Sequence, residues 1–163
     1  MTRTLALRCA LILVFASALA LSFLGSANTL RATQEPAAAP APAKTWTPPD
    51  IATIPQGPVG DSIRLGLQIF NDTPKYAARY VGNKLSCTHC HINSGTVPGG
   101  IPMVGLPGIF PMYRDREKEV VTFEERIQQC FQRSENGHRV PNNGPEMVAL
   151  VAYTQWLSKD QMT

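Results

Sequence analysis

Cys87-Thr88-His89-Cys90-His91 is the stretch of this chain best suited to chemistry. Two thiols three positions apart can each add to one vinyl group of a haem, and the adjoining imidazole then reaches the iron. Thr88 and His89 only bridge. A redox dithiol of the same spacing would open a helix behind a strand, and no strand pattern precedes this one. A zinc site would need a second ligand pair, and the chain has no second C-x-x-C and no H-x-x-H. The motif therefore points to one covalently attached haem c, held by Cys87 and Cys90, with His91 as proximal iron ligand.

For the opposite face of the iron the chain offers Met103, Met112, Cys130, His138 and Met147. Simple electron carriers use Met or His there, and Met raises the reduction potential. Met103 lies so close to His91 in sequence that its loop must double back sharply. Met147 falls on the inward stripe of a helix, where a flexible core filler is the plainer role. Cys130 has no partner thiol, because Cys9 sits in the export segment and the other two belong to the motif. A free cysteine outside the cytoplasm is an oxidation liability unless it is buried or bound. The residues alone leave two readings open: a thiolate ligand holding the iron at low potential, or a buried, inert apolar side chain.

Three helices are expected to position these groups. The first spans about residues 59–70, with Ile63, Leu67 and Phe70 on one face and Gly66 allowing a close crossing. Asn71-Asp72-Thr73-Pro74 ends it. The second spans about 123–134, opened by a capping box of Thr122 and Glu125 and closed towards Asn136-Gly137. The third runs from Pro145 to Ser158, with Met147, Leu150, Val151, Thr154 and Leu157 turned inward and Tyr153 and Trp156 beside them. The segment between, 92–121, is a long Gly- and Pro-rich loop with no strand pattern. Such a loop is unusual in a compact domain unless it wraps a prosthetic group. The expected fold is all-α and cytochrome c-like, three main helices with long loops around one covalently bound haem.

The N-terminal residues serve transport. Arg3 and Arg8 precede an uncharged run from Cys9 to Leu30, and Gly25-Ser26-Ala27 offers small residues for a signal peptidase. Residues 1–27 read as a signal peptide, in preference to an uncleaved signal anchor. The run is on the order of 20 apolar residues, long enough to span a bilayer if it is retained. Residues 28–49 form a Pro/Ala-rich linker, a semi-stiff spacer with nothing to bury. Residues 50–163 form the mono-haem domain. The expected location is the periplasm, soluble or tethered to the inner membrane by the N-terminal segment. Without residues 1–27 there remain thirteen cations against twelve carboxylates, so the formal charge of +3 mostly reflects export. No basic stripe suggests nucleic acid.

Longer motifs carry a family likeness. Gly82-Asn83-Lys84-Leu85-Ser86 leading into the haem motif, Phe110-Pro111-Met112-Tyr113-Arg114, the run Arg126 to Gly137 around Gln129-Cys130-Phe131, and Met147 to Tyr153 together resemble the N-terminal haem domain of the periplasmic thiosulfate dehydrogenases. The likeness covers nearly all of residues 58–158. It implies that Cys130 is the distal iron ligand, and that Arg116, Arg126 and Ser134 line a thiosulfate pocket beside it. Guanidinium forks suit a dianion, and a hydroxyl can orient it. Read without the likeness, Arg116 is a solvated charge in a mixed run and Arg126 a helix-surface partner of a nearby glutamate. Family enzymes carry a second haem domain that accepts electrons, and this sequence ends at Thr163. The resemblance thus implies either a partner, such as a second c-type cytochrome, or a protein that keeps the haem without the catalysis. Transfer of electrons through one haem, in oxidation of thiosulfate or related sulfur compounds, is the expected function. The catalytic haem half of a tetrathionate-forming thiosulfate dehydrogenase is the alternative.

Overall fold

A computed structural model describes residues 46–159. The export segment and all but the last four residues of the linker lie outside the described residues. Within them, no helix is long and apolar enough to cross a membrane.

Helix α1 spans Pro58–Asn71, entered through Gly57 at φ 86° with Pro58 in the first turn. Its buried face is Gly60, Ile63, Gly66, Ile69 and Phe70. Helix α2 spans Phe123–Gln129, and helix α3 spans Pro145–Leu157. Helices α1 and α3 pack on each other to form the core, where Ile63, Ile69 and Phe70 meet Met147, Leu150, Tyr153 and Leu157. Trp46 packs against the edge of this core. Met147 is fully buried, as a core filler should be.

Gly66 makes the α1–α3 crossing possible. A Cβ there would lie 2.0 Å from the carbonyl oxygen of Ala149, a backbone atom that cannot swing aside. Gly66→Ala is expected to cost about 3 kcal/mol of folding stability through overpacking. The shift in denaturant midpoint of the haem-loaded protein measures it, and a change within ~0.5 kcal/mol would deny the tight crossing.

The capping box at α2 forms in both directions. Thr122 Oγ1 accepts from the Glu125 amide at 3.2 Å, and Glu125 Oε2 accepts from the Thr122 amide at 2.8 Å. The second helix does not stay α-helical to its end. Cys130–Ser134 forms one wider π turn, closed by the Glu135 amide donating to the Cys130 carbonyl at 3.0 Å. Asn136 then takes φ 49°, the left-handed stop expected there.

The 92–121 loop is more ordered than its composition suggests. It contains a tight turn at Ile92–Gly95 with Asn93 and Ser94 at positive φ, a 3-10 turn at Leu106–Ile109, and a small antiparallel hairpin. Strand β1 is Met112–Arg114 and β2 is Glu119–Val121, with Met112 opposite Val121, Tyr113 opposite Val120 and Arg114 opposite Glu119. This hairpin corrects the expectation of a strandless loop. Strands of three residues are too short to show an alternating pattern. The domain remains mostly helical.

Candidate functional site

The haem motif is anchored from three sides. The His91 amide donates to the Cys87 carbonyl at 2.9 Å, so the motif closes one helical turn. The exposed His89 holds that turn with its own ring, accepting from the Ser86 amide at 3.0 Å through Nδ1. Ser86 Oγ in turn accepts from the Thr73 amide at 3.1 Å, just beyond the end of α1. On the other side, Gly82 and Gly137 let two backbones close up. The Gly82 amide donates to Glu135 O at 2.8 Å and the His138 amide to Tyr80 O at 2.9 Å. Side chains at either glycine would strike carbonyl oxygens at about 2 Å. The approach to Cys87 is thereby fastened to the segment that follows Cys130.

These elements enclose a cavity of roughly 310 Å³. Cys87, Cys90, His91 and Cys130 all line it, among apolar side chains that include Phe70, Leu85, Ile101, Met103, Ile109 and Phe131. Ile101 is 59 % exposed and Ile109 56 %, large apolar surface directed to a cavity that no protein group fills. His91 Nδ1 lies 2.7 Å from the Ile101 carbonyl, which accepts its proton and leaves Nε2 as the free ligating nitrogen. Phe70 packs against the same ring with centroids 5.8 Å apart. Two thiols, an oriented imidazole, a thiol on another wall and an apolar lining form a donor set that fits a haem.

Of the other residues considered for the iron, Met103 and Met112 line the cavity, whereas His138 and Met147 do not. Met103 reaches it because the loop does double back, its amide donating to Gly95 O at 2.9 Å. Cys130 has a specific polar neighbour that the methionines lack: Arg126 Nη1 lies 3.1 Å from its sulfur. Burial pushes the Cys130 thiol up, and the Arg126 guanidinium opposes that shift. Burial also raises the Cys87 thiol, with the Glu135 carboxyl adding to it.

Of the residues implied for an oxyanion pocket, Arg126, Cys130 and Ser134 come together on the cavity wall. Arg116 does not join them. It is exposed at the turn between the two strands and is not part of the cavity lining, while Arg114, two residues earlier, is. Sequence reasoning also passed over Glu135, which is 3 % exposed, lines the cavity and has Oε2 without a hydrogen-bond partner.

Burial raises the Glu135 carboxyl from its ordinary 4.5 to about 7, against weaker help from Thr73 and Cys87. A raised carboxyl favours the folded state while it stays protonated. Its contribution is complete below about pH 4.5 and is lost as pH rises through about 7, a change of up to roughly 3 kcal/mol. Glu135→Gln is expected to abolish that decline. Denaturant titrations of both proteins at about pH 5 and about pH 7.5 check it, and equal slopes for the two would remove Glu135 as the cause.

A mostly helical domain with this motif on the wall of an apolar cavity defines a c-type cytochrome. Residues 75–162, more than half of the chain, match the family model described as SoxA/TsdA, cytochrome c domain, and the chain belongs to that family. A c-type haem is the cofactor of such a domain. The chain is 46 % identical over 114 residues to the thiosulfate dehydrogenase of Thiomonas intermedia, covering 70 % of this chain and 36 % of that protein. It is 36 % identical over 148 residues to that of Allochromatium vinosum, covering 88 % and 53 %. A solved structure of thiosulfate dehydrogenase (TsdBA) from Marichromatium purpuratum superposes with a TM-score of 0.70 at 34 % identity, covering 73 % of this chain and 27 % of that one. The chain spans about a third to a half of the length of the curated relatives it matches.

Proposed function

We propose that this chain is an exported thiosulfate dehydrogenase-type cytochrome, the haem-bearing half of an enzyme that joins two thiosulfates into tetrathionate. The observation that carries the reading is the convergence of Arg126, Cys130 and Ser134 with the haem motif on one cavity. Electron transfer, the simpler function expected from the motif alone, is contained in this reading. The four thiosulfate dehydrogenases among the relatives favour the catalytic version over a plain carrier.

In the proposed site Cys87 and Cys90 would hold a single haem as thioethers, and His91 and Cys130 would supply the ligands of its iron. The haem, when bound, supplies one-electron acceptance. Arg126 performs two tasks from one position. Its guanidinium neutralises the Cys130 sulfur and presents charge-assisted donors to a dianion entering beside it. The Ser134 hydroxyl, at the end of the π turn, orients that anion. The apolar wall excludes water, which strengthens both interactions.

Joining the outer sulfurs of two thiosulfates forms one S–S bond and releases two electrons, twice what one haem holds. An electron-accepting partner is therefore required, and a second c-type cytochrome has the right chemistry. Residues 1–27, as signal peptide or signal anchor, serve export to the periplasm, residues 28–49 are the linker, and residues 50–163 carry the haem.

Steady-state tetrathionate formation by haem-loaded protein, with ferricyanide as artificial acceptor, tests the reading. Turnover that saturates with thiosulfate is expected. No turnover, alone or with a second cytochrome, would leave only the carrier.

A further inference from the structure

Arg114 reaches the cavity through the pleat of β1. Successive side chains of a strand point to opposite faces, so Met112 and Arg114 turn inward together while Tyr113 between them is 56 % exposed. Among the described residues Arg114 donates no hydrogen bond. Its one charged contact is through Nε, 3.7 Å from Glu117 Oε2. The two terminal nitrogens, the fork that recognises oxyanions, are left uncommitted at the cavity.

Glu117 is an unusual residue for a hairpin turn. Its side chain is only 7 % exposed, and it takes two arginines from two parts of the chain. Oε1 accepts from Arg133 Nη2 at 3.0 Å, and Oε2, beside Arg114 Nε, makes no hydrogen bond. Arg133 belongs to the π turn that carries Cys130 and Ser134. The carboxylate thus ties the hairpin to the wall of the cavity and draws the Arg114 side chain along the same line. The Arg133 bond, helped by Arg114, holds the Glu117 carboxyl below the usual range in spite of its desolvation. The link stays charged at neutral pH.

We propose that Arg114 is a second oxyanion-binding residue of this cavity, acting with Arg126, and that Glu117 is the positioning residue that aims it. The proposal rests on the reading above in taking the oxyanion to be the sulfonate end of a thiosulfate. The same fork also suits a carboxylate on the haem periphery, and the two sources differ in what they disturb. The family likeness gives neither Arg114, which closes one of its motifs, nor Glu117 a role in the pocket, and Arg116, to which it does, lies outside the cavity lining.

The test uses haem-loaded full-length protein and the variants Arg114→Gln, Arg114→Lys, Glu117→Gln and Lys118→Gln. Thiosulfate is titrated against the visible spectrum of the ferric form, the reduction potential is measured, and KM and kcat are separated with ferricyanide. Arg114→Gln is expected to weaken thiosulfate binding by about tenfold or more, as loss of a charged hydrogen bond does, with haem content unchanged. Arg114→Lys should recover part of that loss, since it keeps the charge without the fork. Glu117→Gln should raise KM several-fold with kcat nearly unchanged, and should add nothing to Arg114→Gln, because it acts through that residue. Lys118→Gln, at an exposed charge of the same turn outside the cavity lining, should stay within about twofold of wild type. A shifted potential with unchanged thiosulfate affinity would assign the fork to a haem carboxylate instead. Affinity and potential both unchanged in Arg114→Gln would overturn the proposal. Wild-type protein that binds no thiosulfate would remove the sulfur-oxyanion reading, and the potential of Arg114→Gln would still decide whether Arg114 serves a haem carboxylate.

Discussion

Cys130→Ala protein, matured with its haem, is expected to lose the low-spin sulfur-ligand signature in electron paramagnetic resonance and to fall by about 100-fold or more in tetrathionate formation. The haem itself should remain, because attachment depends on Cys87 and Cys90 across the cavity. Fold is not the issue. Alanine suits a helical position, and the π turn is closed by backbone bonds from Glu135 and Gly137 that need no side chain at 130. What alanine removes is a half-buried sulfur that lines the cavity with an arginine 3.1 Å away. Had Cys130 been an inert apolar residue, alanine would leave the spectrum untouched and cost only the small cavity it creates. An unchanged spectrum would therefore return Met103 or Met112, the methionines on the wall, to the iron.

Arg126→Ala is expected to lower kcat/KM for thiosulfate by roughly ten- to a hundredfold, the range for losing a hydrogen bond to a charged group. It should also lower the reduction potential, since the Cys130 sulfur loses the donor that draws off its negative charge. The paired effects separate this role from the plainer one. An arginine that only paired with a glutamate on the surface of α2 would move neither quantity by more than about twofold. Among the described residues Arg126 makes no ion pair with a carboxylate; its partner is the Cys130 sulfur.

The helices were legible because long apolar periodicities need little context. Ile63 and Phe70, then Leu150 and Leu157, announce their faces, Gly66 marks the crossing, and Thr122 with Glu125 marks a start. The haem motif was legible for a different reason: its chemistry demands adjacent residues. The oxyanion side of the cavity was harder. Arg114 and Arg116 are two residues apart in a run of mixed charge, a spacing that would put both on one face of a longer strand; β1 ends at Arg114, so Arg114 lines the cavity while Arg116 falls in the exposed turn. Glu117 looks like one more surface charge until Arg133, sixteen residues on, is brought beside it. Glu135 is similar, since nothing local says that the Gly82 and Gly137 backbones will close over it. The π turn at Cys130–Ser134 has no sequence signature at all, yet it presents Cys130 and Ser134 to one wall.

A covalent haem on this cavity is tested most directly by haem stain after denaturation. Protein produced with the haem-attachment machinery should give a peroxidase-active band that migrates with the polypeptide in a denaturing gel. Replacing both Cys87 and Cys90 by alanine should erase that band. A wild-type band with no stain would contradict the claim, and with it every assignment built on His91 and Cys130.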